Sequence, residues 1–255
     1  IFGLVLNRIV YPKSKRAANE WLQLDAFYPE AEGWDVQHYY RALDVLHEHW
    51  PRLEEMLFQA LWNLSDEELR KLLLIDTTSM FFEANADDEE LAELEADWAA
   101  YDAGEREKPP HRPRPSVINE PAMRMRGHNK DGHPGDPQVV ISSVCLPNGL
   151  VLRHTVHPGN TADVTIASEL VEALSLPEEA EVKLWVSDGG MTSEKLRGML
   201  DGGGWFRLTA ESLRKSAFAK SHILPIPGRY EAHPTKPQYS FKTVFVDTQT
   251  SPSHR

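Results

Sequence analysis

Apolar positions in the first seventy residues recur at the spacing of an amphipathic helix. In residues 35–50, Tyr39, Leu43 and Leu46 fall on one side of a helix. Asp35 precedes this run and can cap it, as Ser14 can cap the run over residues 14–24. We therefore expect residues 1–70 to form a helical N-terminal region.

The pattern changes after residue 70. Residues 71–84, KLLLIDTTSMFFEA, form a continuous apolar run broken at Asp76 and rich in threonine and aromatic residues. Such a run favours a buried strand, and we expect Asp76 to end it. Residues 137–160 predict two strands joined at Asn148-Gly149, since Asn-Gly between apolar runs is the strongest short hairpin signal.

Helices and strands are then expected to alternate. The pattern predicts a helix over 161–176 with Thr161 as its cap, and Asp188 is expected to end the next strand. The full set is a helix over 161–176, a strand over 181–188, a helix over 192–204 and a strand over 205–210. The order strand, strand, strand, helix, strand, helix, strand predicts an α/β fold with a mixed sheet and flanking helices. That is the order of elements in the ribonuclease H fold.

Composition limits the class of protein. The chain has 255 residues, of which 41% are hydrophobic and 26% charged, which suits a globular protein of one large or two smaller domains. No apolar run approaches the roughly 18 residues of a membrane span, so we expect no membrane partner. The opening residues lack the features of a secretory signal. The lone Cys145 excludes an internal disulfide and fits a reducing cytoplasm.

The net charge of −12 is unevenly distributed. Residues 83–107 hold eleven acids and one base, and they are expected to form a solvated helical insertion. Residues 106–130 hold seven bases and two acids. Local charge decides where a polyanion docks, so the overall sign does not exclude DNA. Arg124, Arg126 and Lys130 are candidate DNA-phosphate contacts, although the glycine-rich stretch beside them also fits a plain solvated loop.

Asp76 and Asp188 are the candidate catalytic and metal-binding residues. In a ribonuclease H sheet, the strands that carry them are adjacent and parallel, and ligands bind at the carboxyl ends of such strands. Two nearby carboxylates repel unless a cation lies between them, and Mg²⁺ prefers oxygen ligands. Each residue also has a simpler interpretation, because an Asp at a strand end is often a turn former or helix cap.

Several motifs in the same order resemble the DDE transposases of bacterial insertion sequences, in the insertion-sequence-four-like superfamily. They are LLLIDTTSMFFEA, RMRGHNKDGHPGDPQVVISSV, GLVLRHTVHPGNTADVT and VSDGGMTSEKL. The resemblance covers roughly residues 1–215. It implies a ribonuclease H-like core in which Asp76 and Asp188 match the first two metal-binding acids, with Mg²⁺ or Mn²⁺ as cofactor. It also implies cleavage of DNA at the element ends and attack of the freed 3′-hydroxyl on target DNA. A homodimer on DNA and a bacterial cytoplasmic location, at the nucleoid when bound to DNA, are further expectations.

The family pattern also requires a third acid, a glutamate on a helix after the last core strand. Glu231 lies in a proline-rich context with the wrong spacing, and Glu211 comes too soon after the last strand. We therefore expect a C-terminally truncated fragment with a core over 71–215, in which the missing third acid leaves the transposase function incomplete. The core would contain an acidic and proline-rich insertion over 85–121, and residues 216–255 would be the start of a β-rich insertion or a truncated tail.

Three other interpretations of these residues compete with this one. His154 and His157 would lie on opposite faces of a strand, which argues against a zinc site. A dehalogenase-like phosphatase would need a second aspartate where Thr78 stands. A non-catalytic DNA-binding remnant of a transposase is the main alternative, because the third acid is missing.

Overall fold

A computed structural model of the protein describes residues 1–26, 28–129, 132–133, 135–174, 183–210, 217, 219–232, 234–236 and 240–241. The chain divides into two compact units, residues Ile1–Leu64 and Ser65–Arg255.

The first unit is helical. Two of the predicted caps are confirmed: the Ser14 side chain accepts a hydrogen bond from the backbone of Ala17, and Asp35 accepts from two backbone amides of the helix that follows it. The small core of this unit is formed by Leu22, Ala31 and neighbouring aromatic residues. The helices are α1 (Phe2–Val10), α2 (Lys15–Leu24), α3 (Val36–Glu48) and α4 (Trp50–Leu64).

The second unit combines helices and strands. Its helices are α5 (Glu67–Arg70), α6 (Asp88–Asp102), α7 (Asp163–Ala173) and α8 (Glu194–Gly202). Its strands are β1 (Leu72–Phe81), β2 (Gln138–Cys145), β3 (Val151–Pro158), β4 (Leu184–Ser187), β5 (Phe206–Thr209), β6 (Glu231–Ala232) and β7 (Ser240–Phe241). A short 3₁₀ turn covers Gly189–Met191, and a π-helical turn covers Ala219–Ile223.

The first five strands form one mixed sheet in the order β3-β2-β1-β4-β5. Strands β1, β2 and β3 are antiparallel neighbours, whereas β4 runs parallel to both β1 and β5. The predicted hairpin is confirmed: β2 and β3 are joined through Asn148-Gly149, where Gly149 has the positive φ of 84° that favours glycine. A mixed sheet with flanking helices, as predicted, is therefore the architecture of this unit.

Two details of the prediction are wrong. Asp76 does not end β1 but lies in its middle, because the following residues continue the pairing with β2 as far as Phe81. Two threonines follow Asp76, and their branched side chains favour extended backbone. Helix α7 is capped at Ala162, without a side-chain hydrogen bond, rather than at Thr161.

The two faces of β1 differ in burial. Leu73, Ile75 and Thr77 are buried on one face, while Asp76 and Thr78 are exposed on the other. Helix α7 lies on the buried face, since Asp163 at its start accepts a hydrogen bond from the Thr77 hydroxyl. The sheet therefore presents Asp76 on the face opposite to α7.

The acidic insertion contains a well-formed helix. Asp87 caps α6, and its side chain and that of Glu90 exchange hydrogen bonds with each other's backbone amides in a capping box. Within the described part of the chain, none of the helices combines the length and apolarity that crossing a membrane requires.

Candidate functional site

Asp76 lies in β1, and Asp188 directly follows β4, the neighbouring parallel strand. Leu74 of β1 pairs with Val186 of β4 in parallel. This is the last pair between the two strands, and it precedes both aspartates by two residues. Extending the register by two positions would set Asp76 opposite Asp188, whose backbone is still extended with φ −75° and ψ 174°. Paired residues of parallel strands project from the same face, about 4.8 Å apart at the backbone. Extension of the register therefore predicts that the two carboxylates are neighbours, and this stays a prediction.

Both carboxylates are oriented by the backbone of the residues that follow them. The Thr77 amide donates to Oδ1 of Asp76 at 2.8 Å, and the Gly190 amide donates to Oδ1 of Asp188 at 3.0 Å. The turn-forming role of Asp188 is thus real. It does not exclude a metal role, because an ionised carboxylate has two oxygens and several lone pairs that can accept.

The negative charge of Asp76 affects the thiol of Cys145 on the neighbouring strand β2. Cys145 lies two positions along β2 from Ser143, the residue that pairs with Asp76, so both project from the face that carries Asp76. Burial raises the pKa of the Cys145 thiol, and the negative charge of Asp76 raises it further. This face of the sheet therefore carries an exposed carboxylate beside a half-buried thiol.

Close packing restricts the two positions after Asp188, Gly189 more strongly than Gly190. A side chain at Gly189 would place its Cβ 2.8 Å from the carbonyl oxygen of Ala210, which is closer than real Cβ atoms approach such an oxygen. A Cβ at Gly190 would lie 3.3 Å from Oδ2 of Asp163 and 3.3 Å from Oδ1 of Asp188. The Gly-Gly pair lets the turn lie close to Ala210 at Gly189 and close to Asp163 at Gly190.

Asp163 is a residue of this region that sequence reasoning missed. Its Oδ1 accepts the Thr77 hydroxyl at 2.8 Å, and its Oδ2 faces the Gly190 backbone. Since both oxygens lie 3.3 Å from the same point at Gly190, Asp163 Oδ2 and Asp188 Oδ1 are no farther apart than twice that distance. An aspartate in the first turn of a helix is common for dipole reasons, so its position in the sequence gave no signal.

The donor set at this place suits a hard divalent cation. Mg²⁺ is commonly bound through one or two carboxylates and keeps several waters, and Mn²⁺ shares the preference for oxygen ligands. Asp76 and Asp188 offer such a pair. In the described ranges, no three His, Cys, Asp or Glu side chains come close enough together to hold an ion, so no third protein ligand accompanies them there.

Arg124, a predicted DNA contact, is engaged inside the chain. Its guanidinium forms an ion pair of 2.6 Å with Asp88, whose side chain is 0% exposed. Asp88 also accepts hydrogen bonds from Asn119 and from the backbone amides of Met123 and Arg124. Burial alone would raise the pKa of Asp88, but the hydrogen bonds, led by that from Arg124, lower it to about 2.

Arg126 is paired with the same acidic helix. It contacts Glu90 at 2.5 Å and Asp87 at 3.2 Å. Elsewhere in the basic stretch, Arg114 pairs with two acids of α6 and Arg106 pairs with one. The acidic and basic blocks therefore largely neutralise each other within the fold. Lys130 lies outside the described residues, and its predicted DNA contact stays a prediction, as do those of the two arginines.

The structure describes one of the two weak candidates for the third acid. Glu231 opens the short strand β6, which pairs with β7 in a two-stranded sheet. Glu211 lies outside the described residues. The third acid of the family pattern stays unassigned.

A serine, a histidine and a glutamate form a hydrogen-bonded row beneath α7. Ser142 Oγ lies 2.9 Å from Nε2 of His157, and Nδ1 of His157 lies 3.3 Å from a carboxylate oxygen of Glu169. The order resembles that of a hydrolase triad. Ser142 is 0% exposed, however, so a substrate carbonyl has no route to its hydroxyl. Ser142 therefore does not serve as a nucleophile, and the three hydrogen-bonded side chains hold α7 against the sheet. His154 is exposed, so the two histidines lie on opposite faces as predicted.

The buried His157 makes stability depend on pH. Burial lowers its pKa from the usual 6.5, and Glu169 offsets this only in part. The unfolded chain then binds the proton first, so the unfolding free energy should be constant above about pH 6.5 and fall as the pH drops below it. Unfolding of wild type and His157→Gln at several pH values measures this effect. Parallel curves for the two proteins would contradict it.

The chain matches no protein-family model, no curated protein and no solved structure. The resemblance described from its motifs therefore stays a prediction.

Proposed function

We propose that residues 71–215 form the ribonuclease H-like catalytic core of a DNA transposase of the DDE type. The reaction would be cleavage of a DNA strand by water at the element ends, followed by attack of the freed 3′-hydroxyl on target DNA. Asp76 and Asp188 would hold Mg²⁺ or Mn²⁺.

One observation carries this proposal. The strand order β3-β2-β1-β4-β5, with β1 and β4 parallel, is the arrangement that the ribonuclease H fold would have. Both aspartates follow the last pair of β1 and β4 by two residues, although 112 positions separate them in the chain, and extending the register would align them. Ligands of open α/β sheets bind beyond the carboxyl ends of parallel strands, and although Asp76 lies inside β1, it comes after the part of β1 that pairs in parallel with β4. This alignment supports a shared oxygen-ligand site.

The residues around the pair would keep both carboxylates in place during the reaction. The Thr77 and Gly190 amides each hold one carboxylate oxygen, which fixes the rotamer and leaves further lone pairs for a cation. When bound, the metal would supply activation of the attacking oxygen and stabilisation of the leaving one. Such chemistry depends on positioning, so preorganised carboxylates favour it.

The alternative is a DNA-binding relative without catalytic activity. It is favoured by the same observation that leaves the metal site incomplete, namely that no cluster of three ligands occurs in the described part of the chain. The two functions differ in outcome rather than in fold. Both bind DNA, but only the enzyme nicks it.

Nicking of supercoiled plasmid by the purified 255-residue chain separates the two functions. The enzyme function predicts nicking that requires Mg²⁺ or Mn²⁺ and stops with chelator. DNA binding without nicking, in both metals and with matching element ends supplied, would favour the non-catalytic alternative.

DNA binding itself should depend on salt. Each phosphate contact by a cationic side chain contributes about −0.9 to the slope of log affinity against log salt for duplex DNA. We expect Lys130→Ala to reduce the magnitude of that slope by about one. Arg124→Ala and Arg126→Ala must be read beside an unfolding measurement, because both arginines also hold α6. Unchanged affinity and slope in the triple alanine variant would exclude this segment as a DNA contact.

A further inference from the structure

Asp163 stands between the segments that carry the two predicted metal-binding carboxylates. It opens α7, 87 positions after Asp76 and 25 before Asp188 in the sequence. One of its oxygens accepts the hydroxyl of Thr77, and the other faces Gly190. Each of these neighbours in turn donates its backbone amide to one of the two carboxylates.

The contact with Thr77 acts on Asp76. Thr77 is 6% exposed and points to the buried face of β1, whereas Asp76 points to the opposite face. Holding the Thr77 side chain fixes the backbone at this position, and that backbone supplies the amide bound to Oδ1 of Asp76 at 2.8 Å. Asp163, on the buried face of the sheet, thereby orients the Asp76 carboxylate on the opposite face.

The contact with Gly190 acts on Asp188. The turn Gly189–Met191 is capped by the hydrogen bond from the Gly190 amide to the side chain of Asp188. The Asp163 carboxylate lies against this turn, at a distance that a Cβ on Gly190 would already crowd. Asp163 therefore limits where the turn, and with it the Asp188 carboxylate, can lie.

We propose that Asp163 is a positioning residue that aligns Asp76 and Asp188 with each other, acting through Thr77 on one side and Gly190 on the other. This inference rests on the proposed function, in which the two aspartates share an ion. Asp163 is not assigned as a third ligand, because in the described ranges no three such side chains come within reach of one ion.

The decisive variants separate the hydrogen bond from the charge. Thr77→Val removes the hydroxyl that Asp163 accepts, and Thr77→Ser restores it. Asp163→Asn removes the charge of Asp163 but keeps an oxygen that can accept from Thr77, whereas Asp163→Ala removes both. The probe is Mn²⁺ bound to the full chain, followed by electron paramagnetic resonance, with the unfolding free energy measured in parallel.

Thr77→Val and Asp163→Ala should weaken Mn²⁺ affinity by about 10- to 100-fold, the range typical of residues that orient metal ligands. Thr77→Ser and Asp163→Asn should stay within about threefold of wild type, since both retain the hydrogen bond. Unchanged affinity in Thr77→Val would overturn the proposal. So would a loss in Asp163→Asn as large as that in Asp163→Ala, because the charge and not the positioning would then be responsible.

A second measurement keeps this inference separate from the proposed function. Hydrogen exchange of the Thr77 and Gly190 amides reports the local order of β1 at Thr77 and of the turn at Gly190, without metal or DNA. Exchange at both amides should be at least about tenfold faster in Asp163→Ala, corresponding to about 1.4 kcal/mol of lost local stability. If wild type binds no Mn²⁺, the proposed function fails. The exchange rates alone then decide whether Asp163 positions the two aspartates. Equal rates in wild type and Asp163→Ala would overturn it.

Discussion

Replacing Asp88 with asparagine should lower the unfolding free energy of the sheet-containing unit by about 3–5 kcal/mol, the range for breaking one side of a buried ion pair. The Asp88 side chain is completely buried and holds Arg124 together with two backbone amides of the segment that runs beside the sheet. Asparagine keeps the shape but cannot satisfy all of these donors, and it leaves the arginine without its counter-charge.

The matched control is Asp97→Asn, the same change on the same helix. Asp97 pairs with Arg106, but its side chain is 51% exposed. Exposed pairs contribute about 0–1 kcal/mol, so this control should be nearly neutral. Equal and small losses for the two variants, measured by urea unfolding, would show that the Asp88 network does not stabilise the fold.

The same residue gives a pH signature. The pKa of Asp88 is lowered from 3.8 to about 2, so the folded state releases its proton more readily than the unfolded chain. Its contribution to stability is therefore fully present above about pH 3.8 and is lost as the pH falls through about 2. Wild type should lose stability more steeply than Asp88→Asn across this interval.

The second large effect is expected on DNA nicking. Asp76→Asn and Asp188→Asn should each lower the Mg²⁺-dependent nicking rate by about 10³-fold or more, because a bound metal supplies several kcal/mol of transition-state stabilisation and each 1.36 kcal/mol is tenfold in rate. Asparagine can still accept hydrogen bonds from the backbone amides of Thr77 and Gly190. The substitution therefore keeps these hydrogen bonds and removes only the charge.

Asp97→Asn serves again as the control, since it changes an exposed aspartate on α6 by the same chemistry. Its nicking rate should equal that of wild type. A rate within tenfold of wild type for Asp188→Asn, in a protein that remains folded, would contradict a catalytic role for this carboxylate.

The sheet could be predicted from local signals because each strand carries its own. The Asn-Gly turn sets the hairpin, and the change from helical to continuous apolar spacing marks β1. The end of β1 was misplaced because Asp76 interrupts the apolar run without interrupting the backbone pairing. Strand length is decided here by the partner strand β2, which a single segment does not reveal.

The candidate site was predictable only in part. Asp76 and Asp188 each follow apolar residues of a strand, which drew attention to them. The contact of Asp163 with Thr77 spans 86 positions in the sequence, and that of Arg124 with Asp88 spans 36. No local sequence pattern therefore indicates either contact. Charge counting found the acidic and basic blocks but not that they pair with each other inside the fold.

The central claim is that Asp76 and Asp188 share one divalent ion, and binding of Mn²⁺ to the full chain tests it most directly. If they share an ion, Asp76→Asn and Asp188→Asn should each weaken binding by at least about tenfold, and the double variant should lose less than the sum of the two effects in free energy, because both remove ligands of the same ion. If Asp76→Asn binds Mn²⁺ as tightly as wild type while Asp188→Asn does not, the two carboxylates do not share an ion and the claim is wrong.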